Sequence, residues 1–259
     1  MIQSDIHALW IGDKLGNIEA KCLLSFAQNG HRVFLHSYSK PHNVPLEIQV
    51  CNAEEIISPT EVFRHRETNS LGMFADIFRY ELFAKIPGAV YVDCDVYCIK
   101  PLPVEDYLFG FEKKAQINGA VLSLPSMSSI LNELRQIRKT AHLRWPWEKR
   151  FPFSPLRLSS YFTKSANPLC DKLWATTGPY ALTYMANKYK ITHLAKEIDY
   201  FYPVSFNDVS ALFKPDRSIE FFVKKNTHCI HLYNEALKSH KLKLVDAPPT
   251  SAIGRLLRS

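Results

Sequence analysis

The sequence predicts an α/β domain, and three observations carry that expectation. Residues 6–35 read as an apolar strand, an amphipathic helix and a second apolar strand, the opening of a βαβ unit. Residues 73–92 repeat the theme, with a helix that stops at Pro87-Gly88 and an apolar strand directly after it. The chain has 259 residues, 46% hydrophobic and 22% charged, enough to bury a sizeable core with an ordinary polar surface.

Taken in order, Ile6-His7-Ala8-Leu9-Trp10-Ile11 is a short buried strand closed by Gly12-Asp13. Ile18 to Gln28 has helical spacing and stops at Asn29-Gly30, and Val33-Phe34-Leu35 follows as a strand. Residues 40–70 carry weaker signals. Met73 to Lys85 is the clearest helix, with Ser70 as the expected N-cap and Phe74, Ile77, Phe78, Leu82 and Ile86 as its apolar stripe. Ala89-Val90-Tyr91-Val92 is then a buried strand running into Asp93-Cys94-Asp95, and Pro101 and Pro103 break regular structure beyond it.

Ala120-Val121-Leu122 is a further strand, and Ser126 to Thr140 a helix with Met127, Ile130, Leu131, Leu134 and Ile137 inward. Residues 142–168, rich in proline, aromatic rings and arginine, have the character of an insertion or a mobile loop. Helix resumes after Gly178-Pro179, where proline suits a first turn. Strands are expected at Tyr200-Phe201-Tyr202, Phe221-Phe222-Val223 and Cys229-Ile230-His231. The tail, about 238–259, is basic and expected to be peripheral. One domain over 1–259 accounts for this pattern.

Six cysteines without metal-site spacing read as free thiols. No apolar run is long enough to span a membrane, and the start lacks the basic and apolar regions of an export signal, so a cytoplasmic chain is expected. The net charge of +7 admits nucleic acid, anionic lipid or phosphorylated substrates as partners and does not choose among them.

Asp93 and Asp95 are the candidate centre of chemistry. On an extended strand, alternate side chains share a face, so the two carboxylates would point the same way and Cys94 the other. They stand where an apolar strand ends, the edge at which α/β sheets bind ligands. Two such carboxylates repel unless a cation sits between them, and hard oxygens suit magnesium or manganese, which can neutralise a diphosphate. Asp76 and Arg79, at i and i+3 on the preceding helix, read either as a surface ion pair or as a sugar-binding carboxylate with its supporting cation.

The stretch Phe74-Ala75-Asp76-Ile77-Phe78-Arg79-Tyr80, followed by Gly88-Ala89-Val90-Tyr91-Val92-Asp93-Cys94-Asp95-Val96, resembles the paired signature of GT-A-fold retaining glycosyltransferases with a DxD sugar-binding region. That group includes α-1,4-galactosyl- and N-acetylglucosaminyltransferases and the glucosylating clostridial toxins. The resemblance extends to His7-Ala8-Leu9-Trp10-Ile11-Gly12, to Asn118-Gly119-Ala120-Val121, to Thr177-Gly178-Pro179 and to His231-Leu232-Tyr233-Asn234. It implies a GT-A-type, Rossmann-like fold with a mixed central sheet and a variable acceptor-side insertion. It implies a metal-dependent hexosyltransferase, retaining, that uses a UDP-sugar and Mn2+ or Mg2+. The acceptor would be a glycan or glycolipid, in bacterial surface polysaccharide or lipopolysaccharide synthesis, with peripheral contact at the inner face of the membrane and no nucleic-acid partner.

Carried over by residue, the resemblance makes Asp93 and Asp95 the catalytic pair, with Asp95 binding the metal directly, Asp93 contacting metal or ribose, and His231 a further metal or diphosphate ligand; His228 competes for the histidine role. Trp10 would stack on the base, with Ile11 and Gly12 beside it. Asp76, Arg79, Tyr80, Asn118 and Gly178 would surround the donor sugar. Two other classes compete. A haloacid-dehalogenase-type phosphatase shares Asp-x-Asp after an apolar strand, and a non-catalytic carbohydrate-binding module could keep the fold. The aromatic-basic stretch from His142 to Phe151 reads equally as an acceptor-holding segment for a lipid-linked or anionic group and as an insertion packed on the domain.

Overall fold

The computed structural model describes residues 3–148 and 168–258. Its centre is a six-stranded mixed sheet of β1 (Ile6–Trp10), β2 (Val33–Ser37), β3 (Ile48–Asn52), β4 (Val90–Val92), β6 (Leu108–Lys113) and β7 (Gln116–Ser123). The spatial order is β3-β2-β1-β4-β7-β6. β3, β2, β1 and β4 run parallel, while β7 is antiparallel to both β4 and β6. A separate antiparallel pair joins β5 (Val96–Cys98) to β8 (Cys229–His231).

Strand alternation divides the core between the sheet's two faces. Ile6, Ala8, Val33, Leu35, Val90 and Val92 face α1 (Asn17–Gln28), which contributes Ile18, Cys22 and Phe26. On the other face, Tyr91 and Leu122 meet α2 (Gly72–Lys85), α3 (Ser129–Lys139) and α4 (Ala181–Lys188). The chain order reverses between β1 and β4, so the crevice beyond their C-terminal ends is the sheet's topological switch point.

Several elements differ from expectation. β3 lies in the weak-signal region of residues 40–70, and its exposed Gln49 and Val50 suit an edge strand. The N-cap of α2 is Leu71; the Ser70 hydroxyl instead accepts from Gly72 N at 3.2 Å. α2 is buried nearly all round, so the stripe at Phe74 and Phe78 is only part of its buried surface. α3 starts after Ser128, whose hydroxyl accepts from Leu131 N, which leaves Met127 outside the helix and 88% exposed. The aromatic runs near residues 201 and 222 are not strands. They form a short helix, α5 (Ile198–Phe201), and a 3-10 turn at Ile219–Phe222; Phe201 and Tyr202 are buried in the core, whereas Phe221 is 60% exposed.

The C-terminal segment is no loose tail. After α6 (Asn234–Ser239), α7 (Ala252–Arg258) buries Ala252 and Ile253 completely against the first face. In the aromatic-basic stretch, Trp145 is 6% exposed and belongs to the second face, while residues 149–167 lie outside the described residues. The thiols are free, as expected. Among the described residues no helix is long and apolar enough to cross a membrane.

His7 on β1 and His36 on β2 are buried under α2, with His7 Nδ1 3.0 Å from His36 Nε2 and the outer ring nitrogens unpartnered. Burial lowers both pKa values to about 4, and Asp5 acts weakly in the opposite direction on His7. Unfolded histidines take protons near pH 6.5, so the stability these neutral rings confer is complete above that pH and is lost as the pH falls towards 4. Between pH 7.5 and 5 the loss should be of order 2 kcal/mol per histidine in urea unfolding. A His7→Leu/His36→Phe double variant should show a much flatter pH dependence.

Candidate active site

The site grows from Arg79. Its side chain is 4% exposed, and a guanidinium cannot shed its charge, so burial demands partners. Nη2 lies 3.0 Å from Asp93 Oδ1 and 3.5 Å from Asp76 Oδ1. Nη1 donates to the Gly119 carbonyl, Nε donates to Ala75 O at 3.1 Å, and the group lies 4.4 Å from the Tyr91 ring centre. Burial disfavours the charge, but Asp93, Tyr91 and Asp76 together raise the pKa of Arg79 further. The pair at positions 76 and 79 is therefore a buried bridge from α2 to the end of β4, not a surface ion pair.

Glycine makes the fit possible at two positions. A Cβ on Gly119 would come within 2.8 Å of Arg79 Nη1, and one on Gly178 within 2.5 Å of both Asp76 carboxylate oxygens. Asp76 also accepts from the Thr177 hydroxyl at 2.8 Å, and Tyr80 donates to the Thr177 carbonyl at 2.8 Å. Burial raises the Asp76 pKa to about 6 against the opposing pull of Arg79 and Thr177.

Asp93 and Asp95 do not converge through strand pleating. β4 ends at Val92, and Val96 N donates to Asp93 O at 3.1 Å, closing a tight turn that contains both aspartates. The turn sends the chain off the main sheet into β5, whose partner β8 carries His231 opposite Val96. His231 Nε2 is 3.2 Å from Asp95 Oδ1, and the Asn234 backbone N–H donates to Asp95 Oδ2 at 2.7 Å. Asp93, Asp95 and His231 thus offer ligand atoms that all lie within 4.8 Å of one another.

The electrostatics separate the two carboxylates. Burial pushes the Asp93 carboxyl up, and the neighbouring Asp95 adds to it against the pull of Arg79. Burial acts the same way on Asp95, but His231 and the Asn234 N–H outweigh it and hold the carboxyl below its ordinary value. Burial disfavours a charged His231, and Asp95 more than compensates, raising its pKa. His231 Nδ1 is buried without a partner. The donor set, two carboxylates and an imidazole with a spare buried nitrogen, fits a divalent cation.

The other expected residues fall around this centre. Trp10 ends β1 at the switch point, half-buried, with its indole N–H donating to Lys14 O at 3.1 Å; Ile11 and Gly12 continue into the loop. Asn118 is on β7, its side-chain oxygen accepting from Ala120 N at 2.7 Å and its amide donating to Glu112. His228 is held elsewhere, stacked on Tyr200 at 4.3 Å and bonded through Nδ1 to the Pro101 carbonyl, so His231 is the histidine that reaches the aspartates.

Four further residues escaped sequence reasoning. Glu112 accepts from both Asn118 and Gln116, and its charge acts on His231 and Tyr233. Tyr202 donates towards the Asn118 carbonyl and sets its ring edge against His231, 6.0 Å between centres. Tyr233 stacks on His231 at 3.9 Å, and Glu19 accepts from the Asn234 side chain at 2.7 Å. Only the left-handed backbone at Tyr233 (φ 53°) marks a special position, and it has no one-residue sequence signal.

No protein-family model and no protein of curated function matches the chain. Among solved structures it is similar to the PaToxG glycosyltransferase, at 13% identity over 73% of this chain and 69% of that one, with a TM-score of 0.45. It is also similar to mouse xyloside xylosyltransferase 1 in its apo form, at 10% identity over 91% of this chain and 99% of that one, with a TM-score of 0.41.

Removing Arg79 should be costly, because it strands Asp76 and Asp93 in a buried setting. Arg79→Met is expected to lower unfolding stability by about 3–5 kcal/mol in urea titration. Gly178→Ala should displace the Asp76 carboxylate, readable as a loss of the Thr177–Asp76 contact in a crystal structure of the variant.

Proposed function

We propose that this chain is a metal-dependent glycosyltransferase that takes a hexose or N-acetylhexosamine from a UDP-sugar and transfers it to a glycan hydroxyl. The observation that carries the reading is the meeting of Asp93 and Asp95 with His231 at the switch point of the sheet, beside the buried Asp76–Arg79 bridge. The resemblance of the paired motif at residues 76–80 and 88–96 to the retaining GT-A enzymes supplies the reaction class and the expectation of retention.

A divalent ion held by Asp93, Asp95 and His231 would offset the charge of the departing diphosphate. The imidazole nitrogen favours manganese over magnesium in that set. Asp95, held ionised by His231 and the Asn234 N–H, is the ligand ready for a cation. Asp93 is steered by Arg79, which acts as a positioning residue because Nε, Nη1 and Nη2 each already donate to a protein acceptor. Asp76, backed by Thr177, would accept hydrogen bonds from donor-sugar hydroxyls, and Trp10 would cover the base. Asp93's engagement with Arg79 also speaks against the phosphatase alternative, in which the first aspartate must attack phosphorus unencumbered. Bacterial surface polysaccharide or lipopolysaccharide synthesis, at the inner face of the membrane, is the setting this reading adopts.

The experiment is nucleotide-sugar binding and slow hydrolysis across a donor panel, with and without manganese. One donor should bind only with the metal and be hydrolysed, and Asp95→Ala should lower that hydrolysis at least 100-fold. His231→Ala should raise the manganese concentration needed for half-maximal activity about 10–100-fold. Absence of donor binding under every metal would overturn the transferase reading in favour of a non-catalytic module.

A further inference from the structure

The aromatic-basic stretch that the donor site leaves unused divides in two. Trp145 is core, and its indole N–H donates to Thr140 Oγ1 at 3.0 Å. Trp147 stacks on it, 5.6 Å between centres and 9° from parallel, and is pinned by its own N–H to the Thr176 carbonyl at 2.9 Å. Lys172, 4.2 Å above the Trp145 ring and bonded to Glu148, braces the stack from behind. Trp147 is therefore fixed before any ligand arrives. Its ring forms one wall of an open surface pocket of about 230 Å³ lined by Ala115, Gln116, Trp147, Tyr180, Thr183 and Tyr184.

We infer that this pocket is a subsite for one neutral pyranose ring of the acceptor glycan, an inference that rests on the transferase reading. Three features select that ligand. The walls are aromatic, with Tyr184 5.2 Å from Trp147 and tilted by 41°; π faces attract the C–H face of a sugar ring. Among the described residues no lining side chain is charged, so these walls suit a neutral ring better than an anionic headgroup. Two lining residues carry groups that could bond sugar hydroxyls, the Tyr184 hydroxyl and the Gln116 side-chain oxygen, the Gln116 amide nitrogen being engaged with Glu112. The Thr183 hydroxyl is already committed, accepting from Ile117 N and donating to the Pro179 carbonyl. The pocket is shallow and largely open to solvent, so it would hold a ring by one face.

The subsite is tied to the donor side by two short routes. Trp147 bonds Thr176, whose neighbour Thr177 bonds Asp76. Gln116 bonds Glu112, which shares Asn118 with the strand that carries Gly119 and Arg79's acceptor carbonyl. A glycan seated on Trp147 would extend along β7 towards the aspartates.

The test follows the tryptophan indole N–H signals of the full chain by two-dimensional NMR. Methyl β-glycosides of glucose, galactose and N-acetylglucosamine are the probes, at millimolar concentration, with uridine as the control. At least one glycoside should shift the Trp147 signal saturably, and uridine should not. Tyr184→Ala and, separately, Gln116→Ala should weaken that binding tenfold or more. No shift with any glycoside, an equal shift with uridine, or undiminished binding in both variants would overturn the inference. The wild-type donor-hydrolysis assay keeps the two readings apart. Glycoside binding at Trp147 without donor turnover would sink the transferase reading and leave a carbohydrate site. Donor turnover without a Trp147 response would sink the subsite alone.

Discussion

A permanently charged guanidinium buried between two carboxylates organises this molecule. Arg79 cannot neutralise itself by losing a proton, so once α2 packs it inward, everything around it must supply acceptors. Asp93, Asp76 and the carbonyls of Ala75 and Gly119 do so, and the Tyr91 ring covers its face. These contacts set the position of α2 against the ends of β4 and β7. They also explain why position 119 has no side chain. The bridge contributes little net stability against packed apolar residues, yet half of it alone would be strongly destabilising, so it specifies geometry more than it adds energy.

A second constraint follows at the end of β4. Because the chain turns at Asp93–Asp95 and leaves the main sheet, β5 must find another partner, and it finds β8. That pairing carries His231 to the aspartates and brings Asn234 to cap the second Asp95 oxygen. Two sheets with different partners thus meet at one point. The consequence is an asymmetric carboxylate pair: Asp93 leans on the cation behind it, and Asp95 on the imidazole in front.

Much of the fold was legible. Residues 6–35 and 73–92 carry clear apolar periodicity punctuated by turn residues, and the structure places β1, α1, β2, α2 and β4 within a residue or two of expectation. The misses have physical causes. β3, β5 and β6 are too short or too mixed in polarity to show a period of two, and they exist because a neighbour pairs with them. Tyr200-Phe201-Tyr202 has strand composition, but pairing with β6 stops at Lys196, and the run packs beneath the sheet as a short helix. In α2, a polar pair on an apparent edge was buried because further elements closed over that side, which helix periodicity does not record.

Local chemistry in the chain alone determined the α/β class, the main strand–helix pairs, and the segments in which acidic groups concentrate, since hydrophobic period and turn residues act over a few positions. Tertiary structure decided the rest. It chose His231 over His228, turned Asp76 and Arg79 inward, and brought Glu112 and Tyr233 to His231. Such choices depend on loop closures spanning, for His231 and Asp95, 136 residues. Their free energy comes from burial and charge pairing that exist only once both ends have met.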